Sequence, residues 1–211
     1  MNTMKKVPFF IALLCFFVSC RKTETPQSGE PYVPYQPNYE VGDYFKNDTL
    51  EGVVFYTYGA HNGLMVSIEE AELPWCDSAH VVCETGATNP YDGWNNTNIV
   101  MANYDLYSFP TIDWSYRRNT WNYIHYPHRL IDHRQWYVPS STEMRYLLMN
   151  QTAVNITLDS LGYPTLEDKT YWSSTELGTK SAAVIQVQDS SIIVREAVKN
   201  QVFYVRAVRN Y

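Results

Sequence analysis

Basic residues are scarce in this 211-residue chain: 16 Lys and Arg stand against 22 Asp and Glu, a net charge of −6. No basic stripe appears, so nucleic acid is excluded as a partner. No apolar run reaches the roughly 20 residues that a membrane-crossing helix needs. No period repeats, and glycine (9) and proline (11) are ordinary in number, which removes fibrous and solenoid classes. Neither HExxH nor Gly-x-Ser-x-Gly occurs, and no second cysteine pair completes a four-thiolate zinc site. What is abundant is aromatic: 18 Tyr, 8 Phe and 6 Trp, 15% of the chain, too many for a disordered polypeptide. The length suits one domain.

Residues 1–19 read as a signal peptide. Lys5 and Lys6 form a positive start, and Val7 to Val18 is a short apolar core. The run ends in Phe17-Val-Ser-Cys20, which resembles a bacterial lipobox, with Cys20 as the lipidated first residue of the mature chain. The alternative is an ordinary signal peptide with an incidental cysteine. Residues 20–38 read as a tether: Pro31, Pro34 and Pro37 recur every third residue, as in polyproline II. At on the order of 3 Å per residue such a segment holds a domain about 50 Å from a bilayer. The expected localisation is therefore the cell envelope, as an outer-membrane lipoprotein facing either inward or outward. Cys15 leaves with the signal and Cys20 takes lipid, so Cys76 and Cys83 remain. In an oxidising compartment they are a candidate disulfide; two free thiols or half a metal site are the alternatives.

Residues 39–211 read as a single α+β domain. Gly52-Val-Val-Phe-Tyr-Thr-Tyr58 and Leu64-Met-Val-Ser-Ile68 flank an Asn62-Gly63 turn and predict a hairpin. Glu69-Glu-Ala-Glu72 predicts a helical turn stopped by Pro74, and Asn95 to Asn103 a short helix capped by Asn96 or Thr97. Ser140 and Glu143 form a capping box, with Met144, Leu147 and Leu148 as the inward face of the helix that follows. Ala182 to Val187 and Ile192 to Ala197 predict a second hairpin, and Phe203 to Val208 a final strand. Strands at both ends with helices between them predict termini that meet in one sheet.

Three segments then become specific: Trp136-Tyr-Val-Pro-Ser-Ser-Thr-Glu143, Tyr171-Trp-Ser-Ser-Thr-Glu176 and Val205-Arg-Ala-Val-Arg209. In this order they resemble the C-terminal domain of Legionella collagen-like protein and the related Fibrobacter succinogenes major paralogous domain, a group common in lipoproteins and fimbria-associated proteins of gut Bacteroidota. His61-Asn-Gly-Leu-Met-Val-Ser67 and Asp92-Gly-Trp-Asn-Asn-Thr97 are similar to its earlier motifs. The resemblance implies a C-type-lectin-like fold with small antiparallel sheets, two helices and long loops, and extracellular binding or adhesion. Trp136, Ser140, Glu143, Trp172, Arg206 and Arg209 read as scaffold residues: the two Trp in the core, Ser140 and Glu143 as caps, the two Arg paired with carboxylates or carbonyls.

The segment from Tyr104 to Gln135 departs from that group in length and aromatic content. Its Trp114, Tyr116, Trp121, Tyr123 and Tyr126, interleaved with Arg117, Arg118, Arg129 and Arg134, are the candidate ligand-binding residues. Aromatic faces stack on sugars and also suit protein contacts. The competing reading is a loop that tucks its rings onto its own domain. His125, His128 and His133 lack a helix to align them, and Trp94-Asn-Asn96 lacks the acidic side chains of a calcium site, so no metal and no cofactor is expected. The expected function is a lipid-anchored binding or adhesion protein for an extracellular glycan or an envelope protein. The alternatives are an accessory subunit of a fimbria-like assembly and, more remotely, a hydrolase; the chain is not expected to be an enzyme.

Overall fold

Two antiparallel-dominated sheets are sewn together by one long ribbon. The structure is a computed structural model that describes residues 38–48, 50–59, 61–119 and 134–211. Its first sheet has the order β1-β2-β3-β9: β1 (Tyr44–Lys46), β2 (Glu51–Thr57), β3 (Gly63–Val66) and β9 (Val208–Asn210). The second has the order β4-β8-β5-β6-β7: β4 (Ala71–Pro74), β8 (Val202–Val205), β5 (Thr170–Gly178), β6 (Ser181–Gln188) and β7 (Ser191–Val198). All neighbours are antiparallel except β5 and β8. The class is α+β.

The ribbon explains how the two ends of the domain meet in one sheet, as the sequence suggested, while a second sheet is built from the same pair of segments. Leu64 pairs with Asn210 and Val66 with Val208 in the first sheet, then Ala71 pairs with Val205 in the second. Residues 67–70 on one side and Arg206-Ala207 on the other form the crossing. There Ser67 N donates to Ala207 O at 2.9 Å, and Ala207 N donates to Ser67 Oγ at 3.2 Å. Arg206 is fully buried at this seam and donates to Ser67 O and Ile68 O, both at 2.7 Å, to Pro164 O, and to Glu70 Oε2 at 3.1 Å. Lys169 Nζ also donates to Glu70, and Tyr171 Oη donates to it at 3.1 Å. A buried guanidinium is tolerated because every bond it forms is charge-assisted and geometrically fixed.

Four α-helices lie among the described residues: α1 (Gly93–Asn103), α2 (Pro110–Arg117), α3 (Ser141–Met149) and α4 (Gln151–Ser160). A 3₁₀ turn at Leu106–Ser108 precedes α2. Helix α3 packs on β6, β5 and β2, α4 on β2, α1 on β5 and α2 on β4. The core they enclose includes Trp75, Phe109, Ile112, Tyr116, Leu147, Tyr171 and Trp172. Burying each such side chain contributes on the order of 1.5–3 kcal/mol.

Several local expectations are revised. Ala71–Pro74 is strand, not a helical turn, because its backbone is claimed by β8. The final strand is two strands, parted at Arg206-Ala207 into different sheets. Helix α1 starts at Gly93, capped by Asp92, whose side chain accepts Asn95 N; Asn96 and Thr97 are buried inside it. Helices α2 and α4 add to the two expected. Trp136 and Trp172 are 4% and 0% exposed.

Candidate functional site

Helix α3 begins with the capping box: Ser140 Oγ accepts Glu143 N at 3.2 Å and Glu143 Oε2 accepts Ser140 N at 2.7 Å. Glu143 also accepts Gly93 N at 3.0 Å and Tyr137 Oη at 2.9 Å, tying the start of α1 to that of α3. Burial pushes the Glu143 carboxyl above its usual range against the pull of these bonds, and raises the Tyr137 phenol further. The second buried carboxylate, Glu176, accepts Thr85 N at 2.9 Å and Gly86 N at 3.0 Å and pairs with Lys199 Nζ, which is wholly enclosed. Lys199 Nζ further donates to Cys83 O at 2.6 Å and lies 5.0 Å from the Trp75 ring centroid. These groups are consumed in holding the scaffold.

Cys76 and Cys83 are free thiols, correcting the expected disulfide. Cys76 points into the core with no exposure, while Cys83 is half-buried with its Sγ 3.8 Å from Lys199 Nζ. Burial pushes the Cys76 thiol up to about 12 and raises that of Cys83 as well.

The segment read as one long loop is partly helical, and this separates its candidates. Tyr116, on the inner face of α2, has no exposed surface and is a core residue. Trp114 lies half-buried on the outer side of the same helix. Trp121, Tyr123 and Tyr126 lie outside the described residues, as do Cys20 and the histidines at 125, 128 and 133. The segment's two ends are clamped side by side: Asn119 Oδ1 accepts Trp136 N at 2.7 Å, and Asn119 Nδ2 donates to Trp136 O at 3.0 Å.

Trp114 lines a cleft of about 380 Å³ together with Leu50, Glu51, Ile68, Glu69, Arg117, Arg118 and Trp136. Its ring is covered on one face by the Arg118 guanidinium at 4.1 Å, whose Nη2 donates to Glu69 Oε2 at 2.7 Å. The Arg118 Nε is buried and has no hydrogen-bond partner. Arg117 is held by Asp113 one turn earlier, at 2.8 Å. The neighbouring glutamates are divided in role: Glu69 serves this cleft, Glu70 the Arg206 seam, and Glu72 is exposed on β4.

A second concavity of about 440 Å³ adjoins the first at Leu50. Tyr39, Phe45, Asn47, His61, Asn62, Arg134, Arg209, Asn210 and Tyr211 complete its lining. Tyr39, Phe45 and Tyr211 form a three-ring cluster with centroids 5.2–5.9 Å apart. The Arg209 guanidinium stands 5.7 Å from the Trp136 ring centroid and links the two hollows. Residues 39, 45 and 211 have no local signal, because only the sheet brings them together. Among the described residues no three His, Cys, Asp or Glu side chains gather as a metal site would require. No helix among them is long and apolar enough to cross a membrane.

No protein-family model matches the chain, and no curated protein sequence does. Among solved structures, it is similar to a fimbrial protein from Bacteroides ovatus ATCC 8483, at 17% identity and a TM-score of 0.46. The match covers 69% of this chain and 35% of that one, so the chain spans about a third of its neighbour's length.

Proposed function

We propose that the chain is a lipid-anchored cell-envelope protein whose domain, of C-type-lectin-like build, binds a glycan on the face where the two concavities meet. The observation that carries this reading is their shared lining. Aromatic rings, guanidiniums and carboxamides converge on adjoining hollows, the combination that grips a ring with one apolar face and many hydroxyls. The resemblance of the segments at 136–143, 171–176 and 205–209 supports the fold, and the Val7 to Cys20 pattern supports the anchor. Binding is favoured over catalysis because the buried carboxylates Glu143, Glu176 and Glu70 each serve several structural hydrogen bonds, and the two that line the first cleft, Glu69 and Glu51, accept Arg118 Nη2 and Tyr44 Oη. Screening the purified chain on a broad glycan array tests the reading. Capture that is lost in Trp114→Ala or Tyr211→Ala supports it; a blank array, or capture indifferent to both changes, rejects it.

A second reading, a subunit of a fimbria-like surface assembly, draws on β7. This is the outer strand of its sheet, eight residues long, with Val194 and Val198 41% and 44% exposed. Such an edge is a template for strand addition. Concentration-dependent association that Val194→Lys abolishes would favour it; a monomer at every concentration would remove it.

A further inference from the structure

We propose that the hollow walled by Tyr39, Phe45 and Tyr211 is the site of a carboxylate-bearing sugar residue, a uronic or sialic acid within a glycan. The inference rests on the glycan-binding reading above and assigns that ligand its chemistry and its place.

Charge is the first ground. The chain carries a net −6, yet among the described residues none lining this hollow is acidic. Arg134, Arg209 and His61 line it instead. The neighbouring cleft differs, since Glu51 and Glu69 line it alongside its two arginines. In an acidic protein, a concavity lined by two guanidiniums and no acidic side chain favours an anionic group, and a guanidinium fork matches a planar carboxylate in particular. Asp43, whose charge reaches Tyr211, is turned to the Glu40 amide, which it accepts at 2.8 Å.

The rings are the second ground, because a bare anion has no use for them. Tyr39 meets Phe45 at 5.2 Å and Tyr211 edge-on at 5.3 Å, forming an apolar wall. Tyr211 is seated by the fold: a Cβ on Gly63 would stand 2.5 Å from its hydroxyl oxygen and 2.7 Å from its ring, so the ring lies against the bare backbone of the β2–β3 turn. Tyr211 N also donates to Gly63 O at 3.3 Å. A wall fixed in this way offers a pyranose C–H face a surface that needs no ordering on binding. Asn47, Asn62 and Asn210 add carboxamides, each carrying both donor and acceptor, as neighbouring hydroxyls require.

Calorimetric titration of the purified chain tests this with trigalacturonate, a glucuronate disaccharide and 3′-sialyllactose. Each is run against its neutral counterpart, the methyl ester of its carboxylate. At least one acid sugar should bind, with its neutral partner weaker by about tenfold or more. Arg134→Gln and Asn62→Ala, both at exposed positions, should each weaken that binding by about tenfold while leaving the circular dichroism spectrum intact. Equal binding of acid and neutral forms overturns the assignment. So does binding lost in Arg118→Gln but kept in Arg134→Gln, which would move the ligand to the neighbouring cleft and leave the glycan reading standing. Preferential binding of a peptide with a free C-terminal carboxylate, dependent on Arg134, would replace the sugar with a protein partner. Failure of all three acid sugars alongside capture of neutral glycans overturns the site alone; failure of every glycan overturns both proposals.

Discussion

Glu143 carries a charge that burial opposes and three hydrogen bonds that favour it, and burial prevails. Its carboxyl therefore holds a proton more tightly in the folded chain than in the unfolded one. The sign follows: its contribution to stability declines as pH rises through the carboxylate range and settles at a constant penalty above its folded pKa. Glu143→Gln keeps an oxygen for the Gly93 and Ser140 amides and removes the charge. The variant should match the wild type within about 1 kcal/mol. It should gain on it as pH rises through and above the ordinary carboxylate range, read as urea midpoints across a pH series. Glu143→Ala strands both amides and should cost about 1–3 kcal/mol for each. Lys199 presents the opposite case, since it neutralises a carboxylate that has left water altogether. Lys199→Met should cost about 3–5 kcal/mol in chemical denaturation, because Glu176 is left charged and enclosed. A change below about 1 kcal/mol would show that the Thr85 and Gly86 amides suffice on their own.

At the scale of elements, the sequence was legible wherever the signal was local. The Asn62-Gly63 turn, the capping box at Ser140 and Glu143, and the β6–β7 hairpin each lie within a few residues of the partners they need. Helix α4 has no local signature, because Thr152, Val154, Asn155, Ile156 and Thr157 are weak helix formers and Asn150 offers no side-chain cap. Tertiary bonds hold it instead: Asn155 Oδ1 accepts Leu166 N at 2.8 Å, and Thr157 Oγ1 donates to Gly42 O. Strand β4 is locally silent for a related reason, since its pairing partner lies more than 120 residues away. The start of α1 supplies the sharpest packing test. A Cβ on Gly93 would meet Ser140 N at 2.4 Å, Val138 O at 2.5 Å and Glu143 Oε2 at 2.6 Å. Two of these are backbone atoms with no freedom to retreat. Gly93→Ala should therefore destabilise the fold by about 1–3 kcal/mol and lower the melting temperature, whereas unchanged melting would mean that α1 can slide on α3.

At the scale of the whole molecule, the site was least legible because it is a product of topology. Trp114 belongs to an aromatic run in the sequence, yet its ring supports Arg118. The three-ring wall joins residues 39, 45 and 211, which no sequence window contains. The ribbon that brings them together also sets the order in which the molecule can assemble. Strands β5, β6 and β7 follow one another in the chain and need only short turns to meet. The pairings of Leu64 with Asn210 and of Ala71 with Val205 close loops of well over 100 residues. Loop closure of that length is entropically slow, which places folding in the millisecond-to-second regime of chains rich in non-local pairing. Pulse-labelled amide exchange during refolding should protect β6 and β7 first and β3 and β9 last; simultaneous protection would refute that order. While the chain waits, Val53, Val54, Met65 and Val66 stand open to water on strands whose neighbours have not arrived, and it is in that interval that a holdase would find its purchase.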